Sequence, residues 1–127
     1  MTETLLPVTF TFVSVLAILL IPLTGWVGVR RGKIGVLRGD GEDAVLFKRI
    51  RFHGNLMENA PLFVLMLGAS EISGLGPFWL WLAVVTFVAG RALHYALYDS
   101  KMRGGAMLIT VLPGALMGLW ILTQIWA

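Results

Sequence analysis

No charged residue occurs between Thr4 and Val29. As an α-helix rising 1.5 Å per residue this stretch reaches roughly 39 Å, more than the ~30 Å hydrocarbon thickness of a bilayer. Phe78 to Gly90 and Ala106 to Ala127 are free of charge as well. Runs of this length and polarity belong in lipid, where only structures that satisfy their own backbone hydrogen bonds can cross, and a helix does so within one segment. The composition agrees: 57% of the residues are hydrophobic and 13% charged, against about 25% charged in soluble domains. The formal charge of +3 does not argue for nucleic acid, because the basic residues flank apolar runs and form no solvated stripe. Cysteine is absent, which excludes a disulfide frame and a thiolate metal site, so any thiol chemistry must come from a ligand. Glu3 stands where a secretory signal would carry basic residues, and the apolar run is too long for a signal core, so the first span is expected to be retained.

The chain reads as four spans over about residues 5–29, 45–73, 77–98 and 105–126. Pro22 and Pro61 each remove a helical hydrogen bond inside the first two spans, which predicts a bend at each. Arg30 to Lys48 is the one water-like segment, with Asp40-Gly41 a turn signal and Asp43 placed to cap a helix beginning near Ala44. Gly74-Leu75-Gly76-Pro77 forms the second connection and Asp99 to Gly105 a short basic third. Trp79, Trp81, Trp120 and Trp126 fit interfacial belts, and Gly114 with Gly118 makes a small-residue pair that allows close helix approach. All ten Lys and Arg fall on one side of such an arrangement. The positive-inside rule makes that side cytoplasmic and puts both termini opposite, in an up-down four-helix bundle.

Two polar faces interrupt the apolar pattern. Arg51, Asn55 and Glu58 follow one another at i, i+4 and i+7, while Arg91, His94, Tyr95 and Tyr98 follow at i, i+3, i+4 and i+7. Ionisable residues in a span face the bundle interior, at about 2.5 to 3.5 kcal/mol each when unpaired at mid-bilayer. A Glu58–Arg91 ion pair is therefore expected between the second and third spans. Arg30, Arg51, His94 and Tyr98 exceed what one pair needs and supply donors suited to a small anion. His53 lies off the Glu58 face, so no metal site is expected.

Arg51-Phe-His-Gly-Asn55-Leu-Met-Glu58-Asn-Ala-Pro61, with Gly90-Arg91-Ala-Leu-His94-Tyr95-Ala-Leu-Tyr98, resembles the paired signatures of the MAPEG family, the membrane-associated proteins in eicosanoid and glutathione metabolism, in its small bacterial inner-membrane form. The resemblance implies a homotrimer of four-helix bundles holding glutathione between neighbouring subunits near the cytoplasmic face. It implies a ligand site of Arg30, Arg51, Asn55, Glu58, Arg91, His94 and Tyr98, and a hydrophobic small molecule that arrives from the lipid bilayer. Where the enzymes of the family carry a thiolate-stabilising Arg early in the fourth span, this sequence has Met107, with Arg103 four residues earlier. Arg103 and Tyr98 are accordingly the expected catalytic groups of a glutathione transferase or peroxidase. Two other classes compete with that reading: a non-catalytic membrane scaffold of the same fold, and a small proton-coupled transporter built around Glu58.

Overall fold

A computed structural model describes residues 3–127 and consists of four helices: α1 (Pro7–Ile34), α2 (Ala44–Ile72), α3 (Pro77–Ala96) and α4 (Arg103–Trp126). Three of them, α1, α3 and α4, are long and apolar enough to cross a membrane. The sequence led us to expect four such spans. The second helix has the length, with 29 residues, but carries Lys48, Arg49, Arg51, Glu58 and Glu71, which keep it outside that apolar class.

Local sequence accounts for most of the helix ends. Asp43 caps α2 by accepting from the Leu46 amide at 2.7 Å. Pro7 and Pro77 sit at the first helical positions of α1 and α3, where the missing N–H costs nothing. At the end of α1, Gly35 takes a left-handed conformation (φ 71°) that lets its amide reach the Arg31 carbonyl. This helix runs five residues past the end of the charge-free stretch at Val29, with Arg30 just before its final turn and Arg31 and Lys33 on it. By contrast α3 stops at Ala96, two residues short of the expected limit: the Leu97 amide still bonds Leu93 four residues back, but the Tyr98 amide bonds Tyr95, three back, and the α-helical ladder ends there. Tyr98 therefore lies in the connecting turn. Helix is maintained through Pro22, Pro61 and Pro113.

Packing is densest between α3 and α4, and α1 lies chiefly against α2. The core is a knot of three rings: Phe63 stacks on Phe87 with centroids 4.3 Å apart, and Phe12 meets both edge-on at 5.2 and 5.7 Å. Leu56, Ala60, Leu67, Leu80 and Met117 close around them. A β-carbon on Gly90 would lie 2.5 Å from the Thr110 hydroxyl and 2.6 Å from its backbone nitrogen. Only glycine permits α3 and α4 to cross this closely, and the crossing fixes what faces α4 on either side of it.

At the outer end, where the α1 N-terminus meets the α2 C-terminus, Glu71 does what no side chain of α1 can do. Its Oε1 accepts from the Val8 amide at 2.8 Å, and its Oε2 from the Thr9 amide at 2.9 Å and the Thr9 hydroxyl at 2.7 Å. The free N–H groups of the α1 first turn and the positive end of its dipole are thus satisfied by a carboxylate from another helix.

Candidate functional site

The opposite end of the bundle collects cations. Arg49 of α2 donates to the Trp26 carbonyl of α1 at 2.7 Å and lies over the Trp26 ring. That ring packs with Phe52 and Tyr95, and Lys48 sits 4.3 Å above the Tyr95 centroid. Tyr98 is the meeting point of three helices. Lys48 from α2 lies 5.7 Å and the Arg103 guanidinium from α4 lies 5.6 Å from its ring centroid, while His94 from α3 packs edge-on at 6.1 Å. The charges of Arg91, Arg103 and Arg51 all act on the buried His94, whose Nδ1 has no hydrogen-bond partner. Tyr98 and Arg103 also line an open depression of about 510 Å³ with Asp99, Ser100 and Lys101.

Of the expected row on α2, Arg51 and Asn55 meet, with Arg51 Nη2 donating to Asn55 Oδ1 at 3.0 Å, while Asn59 and not Glu58 continues it, its Nδ2 donating to the Asn55 carbonyl at 2.6 Å. The expected Glu58–Arg91 pair does not form, and among the described residues Arg30–Asp43 is the one ion pair. Two features of the packing explain this. Arg91 follows Gly90, so the close crossing turns its side chain into the α3–α4 seam, where Nε donates to Thr110 Oγ1 and Nη2 to Met107 Sδ, both at 3.0 Å. Glu58 instead is exposed on the outside of the single chain. It stands at the edge of a groove of about 350 Å³ between α2 and α4, whose walls include Asn59, Phe63, Met66, Thr110 and Gly114. Thr110 thus stands between the two charges expected to meet.

Arg91 is 4% exposed, its Nη1 has no partner, and both of its acceptors are neutral. Arg30 is held differently. Its Nε and Nη2 donate to the two carboxylate oxygens of Asp43 at 3.0 and 2.6 Å, tying the end of α1 to the start of α2. The Arg30 guanidinium, with the Leu46 amide, lowers the Asp43 carboxyl to about 2. Sequence reasoning missed the roles of Thr110, Met107, Lys48 and Glu71. For Thr110 a signal existed, a lone polar residue in an apolar stretch, and for Glu71 the only charge between Glu58 and Arg91, but which helix each would meet is a tertiary fact.

An all-helical bundle with three apolar spans, a belt of cations at one end and a half-buried polar row beside it is an integral membrane protein. Its sequence matches the MAPEG family over residues 9–123, and the chain belongs to that family. Among curated proteins it is 32% identical over 60 residues to the inner membrane protein YecN of Escherichia coli K12 and, to the same extent, of Escherichia coli O6:H1. Each match covers 47% of this chain and 46% of the relative, so the chain spans about half the length of the relatives it matches.

Proposed function

We propose that this protein binds glutathione at its cation-rich end and uses it as a transferase or peroxidase on hydrophobic molecules that enter from the bilayer. The observation that carries this reading is the imbalance of charge around Tyr98. Lys48 and Arg103 lie over its ring, and among the described residues neither has a carboxylate within ion-pair distance. Glutathione, with its carboxylates and acidic thiol, is an anion of the right chemistry, and the family includes glutathione transferases and peroxidases.

In this reading Arg51 and Asn55 bind a glutathione carboxylate, Arg binding it bidentately. His94 and Tyr98 donate to the remaining polar groups, and the second cation-rich element, Arg103, draws the thiol end toward Tyr98. Arg30 can join only with the nitrogen that Asp43 does not occupy. When bound, glutathione supplies a thiolate nucleophile for an electrophilic carbon or a hydroperoxide oxygen. The residues hold it in register beside the α2–α4 groove, whose apolar walls take the hydrophobic partner and exclude water. Glu58 faces outward at the edge of that groove, so a neighbouring copy in a homotrimer is what completes the site, with glutathione between subunits and both termini on the non-cytoplasmic face of an inner membrane.

Calorimetric titration of the purified protein with glutathione tests the reading: saturable binding lost in Arg51→Ala supports it, and no heat of binding for the wild type refutes it. Turnover of a model electrophile separates an enzyme from a binding scaffold. The exposed, unpaired Glu58 also favours a proton-coupled transporter, for which electrogenic uptake in vesicles, abolished by Glu58→Gln, is the corresponding test.

A further inference from the structure

The α3–α4 turn holds polar groups that the glutathione reading does not use. Lys101 is exposed and, among the described residues, has no carboxylate within ion-pair distance. Ser100 Oγ accepts from the Met102 amide at 3.1 Å, which leaves its own proton free to donate. Both line the depression of about 510 Å³ together with Arg103, which is already held over the Tyr98 ring. The two cations there outnumber the one carboxylate, Asp99. Met102, between those cations, is 69% exposed, an apolar side chain just before the charge-free run of α4 begins.

An apolar track leads away from this turn. Leu108, Leu112 and Leu116 follow at i, i+4 and i+8 along α4, all exposed. They project away from Thr110, Gly114 and Ala115, which line the α2–α4 groove given above to a neighbouring copy. Leu112 and Leu116, with Leu82 and Thr86 of α3, wall a second groove of about 420 Å³ that ends between Trp79 and Trp120. Thr86 spends its hydroxyl on the Leu82 carbonyl at 2.7 Å, so the walls are otherwise aliphatic or indole. At 1.5 Å per residue Leu112 and Leu116 lie about 14 and 20 Å along α4 from Arg103, on either side of the ~15 Å of hydrocarbon in one leaflet. A phosphate at the depression therefore sets the ends of its own acyl chains at the groove. We propose that this side of the α3–α4 seam binds one phospholipid of net negative charge. Lys101 and Ser100 take the phosphate, Asp99 accepts the headgroup hydroxyls, and the chains run over Leu108 and Leu112 into the Trp79–Trp120 groove. Charge selects the occupant, because basic pockets at the ends of membrane helices suit anionic headgroups and a purely apolar occupant would leave both cations unanswered.

The test is quenching of tryptophan fluorescence in the full chain, reconstituted without glutathione into phosphatidylcholine vesicles. A minor fraction of the lipid is either phosphatidylglycerol or phosphatidylcholine brominated near the ends of its acyl chains. Brominated phosphatidylglycerol should quench more than brominated phosphatidylcholine, and the excess should vanish when Trp79→Phe and Trp120→Phe are combined. Lys101→Gln, a change at an exposed side chain, should lower the preference about fivefold, since one Lys at an anionic surface contributes about 1 kcal/mol. Equal quenching by the two lipids in the wild type overturns the proposal, as does an excess that survives Lys101→Gln or the paired Trp substitutions. Displacement of the excess by free glycerol phosphate would make a soluble ester the ligand and overturn the lipid assignment. Trp79 and Trp120 quenched by neither lipid would mean that a second copy covers this face, which overturns it as well.

Discussion

The two ends of the bundle treat a charge set among the helices in opposite ways. At the outer end Glu71 is surrounded by donors: two amides and a hydroxyl of α1 meet its two oxygens. At the inner end Arg91 is surrounded by neutral acceptors and retains a guanidinium nitrogen with no partner. A carboxylate at a helix N-terminus is a structural solution, complete within one chain. A cation without a counter-ion in the same chain is costly to the fold, and in the proposed reading it is kept for what it can bind. Satisfaction, and not the mere presence of charge in an apolar segment, therefore separates the clamp from the site.

The sharpest way to break that distinction is at the crossing that serves both packing and site. Gly90→Val would push a branched side chain into the Thr110 backbone, and overpacking of this kind costs about 1 to 3 kcal/mol even where side chains can yield. Here backbone is struck, so loss of assembled protein on size-exclusion chromatography is expected, and a normally assembled Gly90→Val would refute the close approach. Next in size is Glu71→Ala, which strands the α1 amides and is expected to cost about 1 to 3 kcal/mol. Thermal melting in detergent should fall while glutathione affinity stays at the wild-type value; a matching loss of affinity would erase the contrast between the two ends. At the inner end, Arg51→Ala should reduce glutathione affinity at least tenfold with a melting temperature close to wild type.

The smallest effect concerns the Arg30–Asp43 tie. The folded Asp43 carboxyl titrates near 2 against an ordinary 3.8, so the folded state holds fewer protons between those values. The contribution is fully present above about pH 4 and is lost as pH falls through 2. The melting temperature of Asp43→Asn, which removes that titrating carboxylate, should accordingly depend less on pH across this window than that of the wild type. Identical pH profiles would remove the tie from the account.

Much of this architecture is readable from residue order alone. Charge-free runs located α1, α3 and α4, Asp43 announced the start of α2, and i, i+4 spacing put Arg51 and Asn55 on one face, where they bond. The partner of Arg91 was not readable in the same way. Electrostatics in isolation favoured Glu58, but Gly90 admits α4 so closely that Arg91 is committed to Thr110 and Met107 before α2 comes within reach. Glu58→Gln, which would strand Arg91 if the two were paired, is now expected to leave the melting temperature unchanged. Glu71 was equally opaque, since capping from another helix leaves no mark near the N-terminus it caps. Tyr98 fell outside its expected helix because its amide bonds the Tyr95 carbonyl, three residues back, in place of the His94 carbonyl four back.

Arg91→Met tests the central claim most directly, read as paired measurements of melting temperature and calorimetric glutathione affinity. Replacing an uncompensated buried charge by a hydrophobic side chain of similar length is often neutral or stabilising, by about 1 to 4 kcal/mol for buried ionic groups. The account predicts a variant that melts at or above the wild-type temperature and no longer binds glutathione. A variant that melts lower yet binds glutathione as tightly as the wild type would show that Arg91 serves the fold and not the site.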